Sequence, residues 1–126
     1  MKKIIKTSDA PAPIGPYNQA ILAGNTLYVS GQIAINPVNN ELMTSNLQEE
    51  TEQVFRNLKA ILTAADMSFD NVVKCSIFIS DMNDFAEING IYQKYFDGDN
   101  APARETVEVA NLPKFVNVEI SLIAVQ

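Results

Sequence analysis

The chain has 126 residues, 47% of them hydrophobic, which suits one domain with a substantial core. Nine Lys and Arg against fifteen Asp and Glu give a net charge of −6, which disfavours binding to a nucleic-acid backbone. The chain contains no His and one Cys, which excludes His-based nucleophile systems, an internal disulfide and a cysteine zinc site.

The N-terminal sequence gives no sign of a targeting segment. Only Ile4 and Ile5 follow the first lysines of MKKIIK, too short a run for the apolar core of a signal peptide. No apolar stretch reaches the length of a membrane span, and the single Cys75 is typical of a reducing compartment. We therefore expect a soluble, cytoplasmic protein of one domain, residues 1–126, without membrane contact.

The N-terminal region predicts an initial strand, a loop and a β-hairpin. The segment DAPAPIGPYNQA is rich in Pro and Gly and is therefore a loop. Strands at 20–22 and 26–29 flank Gly24 and Asn25, residues that favour the tight turn of a hairpin. Gly31 lies beside the second strand and indicates a bulge or the close approach of another group to the backbone.

A long helix follows, and its first residues carry a capping pattern. Ser45 is the predicted N-cap, with Gln48 three residues on as its capping-box partner. Apolar residues then recur every three or four positions, which predicts one buried face. These residues are Leu47, Val54, Leu58, Ile61, Leu62 and Ala65.

The next segment predicts a strand and a second helix. Alternation over 72–80 predicts the strand and places Cys75 on its apolar side, where we expect a buried, unreactive thiol. Asp81 is a candidate N-cap for the helix, and Gly98 is its predicted end. The apolar face of this helix consists of Phe85, Ile88, Tyr92 and Tyr95.

Two final strands complete the predicted sheet, at 104–110 and 116–125, with a turn at 111–114 between them. This order of elements favours an α+β domain in two layers, a mixed six-stranded sheet with two helices on one face. The outward positions of the last strand are half polar. Such a face on a small domain indicates contact with another subunit, around a wet cavity.

Arg104 is the residue best suited to bind an anion. It lies with Thr106 on the less apolar face of its strand, and a guanidinium binds a carboxylate through two parallel hydrogen bonds. Glu119 lies on the less apolar face of the last strand, and a carboxylate there can hold and activate a water molecule. If the two strands are neighbours, Arg104 and Glu119 line one pocket.

The residues alone leave two interpretations open. Arg104 and Glu119 form either the two ends of an anion pocket or a cross-strand ion pair without function, and spacing favours the ion pair. Tyr17, Ser30 and Asn89 could add hydroxyl and amide groups to a pocket. Each of the three also has an ordinary explanation as a packed loop residue, a turn residue or a capping residue.

Five further segments occur in order along the chain: IGPYNQA, VSGQIAINP, DMNDFAEINGIYQKYF, APARETVEVANLP and VEISLIAV. Together they resemble the Rid family, also called the YjgF family. The resemblance covers essentially the whole chain, and the segment around PAR and VEVANLP is its most specific part.

The resemblance implies a fold, an assembly and a reaction. The fold would be that of the trimeric chorismate mutases, in which three subunits pack their sheets into a central barrel with ligand clefts between neighbours. The reaction would hydrolyse 2-imino acids, or their enamine tautomers, to 2-keto acids and ammonia. These reactive species are released by pyridoxal-phosphate enzymes such as threonine dehydratase. No metal or organic cofactor is implied, and the partners would be small 2-imino or 2-keto acids and further copies of the chain.

The resemblance also implies roles for individual residues. Arg104 would grip the substrate carboxylate, and Gly31 would offer it a backbone contact. Glu119 and a backbone carbonyl near Thr106 would orient the water that attacks C2. The remaining substrate-binding positions are Tyr17, Ser30 and Asn89.

Two positions depart from the family pattern. Thr106 stands where many relatives have Cys, which excludes covalent modification there, and Glu105 adds a charge where Ser is common. The alternative to a deaminase is a regulatory trimer that binds small carboxylic acids without turnover. RNA cleavage, a third possibility, is disfavoured by the net charge and the absence of His.

Overall fold

The computed structural model describes residues 1–126 and contains one mixed β-sheet with two helices on one of its faces. The strands are β1 (Lys2–Ile5), β2 (Ala20–Ala23), β3 (Thr26–Gln32), β4 (Val72–Ile79), β5 (Ala103–Glu108) and β6 (Val118–Val125). The helices are α1 (Leu47–Ala64) and α2 (Phe85–Tyr92). The order across the sheet is β1-β2-β3-β6-β4-β5, and only β4 and β5 are parallel. The predicted two-layer α+β architecture is confirmed.

The hairpin of β2 and β3 turns where the sequence predicts it. Gly24 has a φ of +59°, a left-handed conformation that glycine adopts without strain. Further along β3, the register with β6 shifts between Val29 and Gln32, so Gly31 lies in an irregular stretch of the strand. Both predictions from glycine, a close turn and a bulge, are therefore confirmed.

The N-cap of α1 is Asn46, one residue after the predicted Ser45. The Asn46 side-chain oxygen accepts a hydrogen bond from the N–H of Glu49 at 2.8 Å. Ser45 instead donates its hydroxyl to the Glu49 carboxylate at 2.5 Å, so Glu49 takes the position predicted for Gln48. Either residue type caps a helix well, and the one whose oxygen reaches the third helical N–H sets the start.

Helix α2 is shorter than predicted. A 3₁₀ turn over Met82–Asp84 precedes it, and Asp81 caps that turn by accepting a hydrogen bond from the N–H of Asn83. After Tyr92 the chain tightens, because the N–H of Tyr95 bonds the carbonyl three residues back. Gly98 therefore does not end α2, as predicted, but begins a separate 3₁₀ turn over Gly98–Asn100.

Strand β4, helix α2 and strand β5 form a crossover unit with parallel strands. β5 pairs with β4 in a register that sets Arg104 opposite Cys75 and Thr106 opposite Ile77. The other side of β4 pairs with β6. β5 is consequently an edge strand, and β4 separates it from β6.

The core lies between the helices and the face of the sheet that they cover. Alternate residues of β6 are buried there, as is the thiol of Cys75, in agreement with the sequence prediction. The second face, called the open face below, carries half-buried or exposed side chains such as Tyr28, Ser121 and Ile123. No helix of the chain has both the length and the apolar character that crossing a bilayer requires.

Candidate functional site

Arg104 and Glu119 lie on opposite faces of the sheet. Arg104 is opposite Cys75 and therefore points to the helix-covered face, whereas Glu119 is opposite Phe78 on the open face. Their strands are not neighbours, because the α2 crossover returns β5 to the sheet edge while β6 fills the centre. The predicted pocket shared by the two side chains within one chain is therefore wrong. The alternative of an ion pair between them is also wrong, since neither residue forms one.

The Arg104 side chain lies at the edge of the covered face, against α2. Its Nη1 donates a hydrogen bond of 2.7 Å to Oδ1 of Asn89, and its Cζ lies 4.7 Å from the centroid of the Tyr92 ring. A concave pocket of about 650 Å³ opens beside it, with Asp97 and Pro102 also in its wall. This arginine pocket contains a positive group that no carboxylate of the chain neutralises within ion-pair distance.

The other predicted site residues gather in a second pocket, of about 380 Å³, on the open face. Its walls include Tyr17, Ser30, Gly31, Pro113 and Glu119, and we call it the glutamate pocket. Tyr17 accepts a hydrogen bond from the N–H of Ile14 at 3.3 Å, and Ser30 donates to the carbonyl of Asn18 at 2.6 Å. The structure thus groups the predicted residues into two sets, Arg104 with Asn89 and the rest with Glu119.

The Glu119 carboxylate is confined in the glutamate pocket. It makes no hydrogen bond within the chain, and a Cβ at Gly31 would lie 2.7 Å from its Oε2. Burial raises the pKa of Glu119 above the ordinary value of 4.5, because the charged form loses solvation. A carboxylate with a raised pKa and free oxygens is a better proton acceptor than an exposed one.

Thr106 and Glu105 occupy opposite faces of β5. The Thr106 hydroxyl is buried without a hydrogen-bond partner on the covered face. Because the N–H of Val109 bonds the carbonyl of Ile79, alternation along the strand directs the backbone groups of Thr106 outward, to the free edge of the sheet. The outward carbonyl of Thr106 is thus free to accept a hydrogen bond.

Glu105 points to the open face, away from Arg104. Its carboxylate accepts a hydrogen bond from Ser76 and forms an ion pair of 2.9 Å with Lys74. The hydrogen bonds from Ser76 and Lys74 hold the pKa of Glu105 below its usual value. The negative charge that departs from the family pattern is therefore matched by a lysine and is kept off the arginine pocket.

Comparison with known proteins identifies the family. A family model described as endoribonuclease L-PSP matches residues 7–126. The chain belongs to this family, which includes the Rid, RutC and YjgF proteins. A RutC family protein of Pyrococcus horikoshii is 50% identical over 124 residues, which cover 98% of each chain. The rat protein named 2-iminobutanoate/2-iminopropanoate deaminase is 48% identical over 126 residues, covering all of this chain and 91% of its own.

Solved structures of Rid proteins share the fold. A putative endoribonuclease from Thermotoga maritima matches with a TM-score of 0.96 and 48% identity, covering 100% of this chain and 98% of its own. TdcF of E. coli, solved with bound serine, matches with a TM-score of 0.92 and 43% identity, covering 98% of each chain. This Rid protein therefore has the chorismate-mutase-like fold of the YjgF proteins, as the resemblance implied.

Two buried polar residues of α1 support the glutamate pocket, and neither was predicted from the sequence. The Glu50 carboxylate accepts hydrogen bonds of 2.8 Å from the backbone and the side chain of Asn117 and one of 3.3 Å from the N–H of Val118. Asn57 donates to the carbonyl of Ile33 at 3.1 Å and to a second carbonyl of the same loop at 3.0 Å. A signal existed, because polar residues recur at three and four positions inside the apolar pattern of the helix.

No group of three His, Cys, Asp or Glu side chains in this Rid protein converges in a way that could hold a metal ion. The titratable side chains of the two pockets are instead Arg104, Glu119, Tyr17, Tyr92 and Asp97. The arrangement therefore offers an anion-binding cation in one pocket and a proton-accepting carboxylate in the other.

Proposed function

We propose that this Rid protein hydrolyses 2-imino acids and their enamine tautomers, such as 2-iminobutanoate and 2-iminopropanoate, to 2-keto acids and ammonia. The single observation that carries the proposal is the Arg104 guanidinium, held in an open pocket without a carboxylate partner. Such a group binds the carboxylate of a small acid. Relatives named as deaminases for these imines, at 44% to 48% identity, support this assignment.

We further propose that the two pockets complete one another between the subunits of a cytoplasmic homotrimer. Within one chain the arginine and glutamate pockets lie on opposite faces of the sheet, so each is half of a site. A second copy can bring its glutamate pocket to the edge strand that carries Arg104. The open face, with Tyr28 51% exposed, would then be covered by the other subunits.

In the proposed mechanism the protein positions the substrate and a water molecule. Arg104 of one subunit binds the substrate carboxylate, with a backbone contact from Gly31 of the neighbouring subunit. Glu119 and the carbonyl of Thr106 orient the water, and its oxygen forms a bond to the electrophilic C2. Such positioning lowers a barrier by several kcal/mol, on the order of 5.

The proton transfers follow from the same groups. Glu119 accepts a proton from the attacking water, and the C=N π electrons move to nitrogen. The resulting tetrahedral aminoalcohol takes up the proton at nitrogen, the C–N bond breaks, and ammonia leaves as the C2 carbonyl forms. Tyr17 and Ser30 would contact the substrate from the glutamate pocket. The mechanism uses no metal and no organic cofactor.

The test is a coupled assay in which threonine dehydratase generates the imine and the appearance of ketone is followed with and without this protein. We expect the wild-type protein to accelerate ketone formation. Arg104→Lys keeps the charge but loses the planar fork, and we expect its kcat/KM to fall by about 10- to 100-fold. Arg56→Lys, a matched change on the exposed side of α1, is expected to retain activity. Full activity of Arg104→Lys would rule the proposal out.

A second candidate is a binding protein for small amino or keto acids that does not turn them over. It is favoured by the structure of E. coli TdcF with bound serine, which is similar over nearly the whole chain. This candidate predicts calorimetric binding of 2-ketobutyrate together with no effect on ketone formation in the coupled assay.

A further inference from the structure

One face of α2 supplies all the side chains that contact the Arg104 guanidinium. Asn89 accepts its hydrogen bond, the Tyr92 ring centroid lies 4.7 Å from Cζ, and the Phe85 ring centroid lies 5.6 Å from it. Spacings of four and three residues place these three side chains on the same side of the helix. We call Phe85, Asn89 and Tyr92 the α2 cradle.

Every member of the α2 cradle is neutral. The chain carries fifteen Asp and Glu, yet none forms an ion pair with Arg104, and Asp97, which shares the pocket wall, stays outside ion-pair distance. Asn89 occupies one donor on Nη1, so the fork keeps further N–H groups for a ligand. The two rings attract the cation through their faces and do not cancel its charge.

We propose that the α2 cradle fixes the Arg104 guanidinium in place with neutral groups and thereby keeps its full positive charge available to a substrate carboxylate. Phe85 and Tyr92 are then positioning residues, and Asn89 acts through Arg104. This inference rests on the proposed function in one respect, that the ligand of Arg104 is a carboxylate. Holding the fork before the ligand arrives strengthens binding, because less side-chain freedom is lost on association.

The Tyr92 hydroxyl is not the group that the cradle needs. It is buried and makes no hydrogen bond. Burial, together with the neighbouring Cys75, raises the pKa of Tyr92 well above its ordinary value. The ring is held by the aromatic core, with centroids 4.7 Å from Phe96 and 6.1 Å from Phe55. The feature that reaches Arg104 is thus the ring face, which Phe would also supply.

The deciding variant is Asn89→Asp, which changes little in shape but places a carboxylate at the 2.7 Å contact with Arg104. Calorimetric titration with 2-ketobutyrate, a stable carboxylate ligand, measures the effect. We expect at least about a 30-fold loss of affinity, because the new ion pair competes with the ligand for the fork. Asn89→Ala removes the hydrogen bond without adding charge and should lose only about 3- to 10-fold.

Asn83→Asp introduces the same charge at an exposed position just before α2 and is the matched control, with unchanged affinity expected. Tyr92→Phe should keep the affinity, whereas Tyr92→Leu should lower it by about 3- to 30-fold. If Tyr92→Leu fails to fold, Asn89→Asp still decides the matter, with thermal unfolding as a check that the variant is folded.

The possible outcomes separate this inference from the proposed function. Wild-type binding of 2-ketobutyrate without turnover of the imine would refute the deaminase and leave the cradle in place. Wild-type affinity in Asn89→Asp, with turnover intact, would refute the cradle alone. Failure of the wild-type protein to bind 2-ketobutyrate would show that the guanidinium does not serve carboxylates, and the cradle would then be refuted as well.

Discussion

Gly31 and Glu119 are in contact across the β3–β6 pair, and only a residue without a side chain fits between them. A Cβ at Gly31 would lie 2.7 Å from Oε2, 2.8 Å from Cδ and 3.0 Å from Cγ of Glu119. Real Cβ atoms do not approach other atoms so closely, so any larger residue would displace the carboxylate. The glycine therefore fixes where the proposed catalytic oxygen atoms lie.

Gly31→Ala is expected to reduce kcat more than it raises KM. The added methyl group moves the Glu119 carboxylate, which we propose orients the attacking water, whereas Arg104 of the other pocket still binds the substrate. We expect kcat to fall by at least about 10-fold in the coupled assay. Gly90→Ala is the control, because a Cβ added at this exposed position of α2 would meet no atom within 4 Å. That variant should keep its activity and gain about 0.5–1 kcal/mol of stability.

Mixed oligomers test whether the two pockets meet between subunits. Arg104→Ala and Glu119→Gln are each expected to be inactive, but subunits refolded together in equal amounts should recover activity. A cleft works when its arginine half and its glutamate half are both intact, which happens in about a quarter of clefts in a random mixture. About a quarter of the wild-type rate is therefore expected. A mixture no more active than its components would mean that one chain supplies the whole site.

The pH dependence of kcat reports on Glu119. Since burial raises the pKa of its carboxyl above 4.5, we expect the acid limb of the kcat profile to have its midpoint above that value. The limb should be absent from any residual activity of Glu119→Gln. A wild-type profile that stays flat down to pH 4.5 would remove Glu119 from the proton transfer.

The same shift has a consequence for stability, and its sign is fixed. A carboxyl whose folded pKa is raised favours the folded state when protonated, and this contribution is lost as pH rises through the folded value. Glu119→Gln carries no charge at any pH. Compared with the wild type in urea unfolding, it should therefore be relatively more stable at pH 7 than at pH 4. A smaller relative stability at pH 7 would contradict the raised pKa.

Glu50→Gln should destabilise the protein. The amide keeps one acceptor oxygen, but its NH₂ group would face backbone or side-chain donors of Asn117 and Val118. Leaving buried donors unpaired costs about 2–4 kcal/mol, measurable by urea unfolding. Glu87→Gln, on the exposed side of α2, should change stability by less than about 0.5 kcal/mol. Equal stability of the two variants would mean that the Glu50 hydrogen bonds contribute nothing.

Local patterns predicted the elements of the fold well, because each element is determined by nearby residues. Alternation along β4 and β6 and the Gly24 turn required no knowledge of distant parts of the chain. The errors at helix ends arose where two residues compete for one role. Ser45 and Asn46 both cap helices, and the choice depends on which oxygen reaches the Glu49 N–H.

The candidate site was harder to predict, because it depends on which strands are neighbours. Alternation shows which side of a strand a residue occupies but not which face of the sheet that side becomes. Arg104 therefore had an assigned side and no assigned partner, and the pairing of β5 with β4 set it against α2 instead of beside Glu119. Glu50 was overlooked because its hydrogen-bond partner, Asn117, is distant in the sequence.

The crossover of β4, α2 and β5 also bears on how the protein acquires its cation site. Phe85, Asn89, Tyr92 and Arg104 belong to one continuous stretch of chain, so their mutual arrangement needs no contact with the termini. The glutamate pocket, by contrast, joins residues near both ends of the polypeptide. Contacts of short sequence separation form early and at small entropic cost. The cation half of the site is thus the portion that could be grafted intact onto another parallel-stranded scaffold.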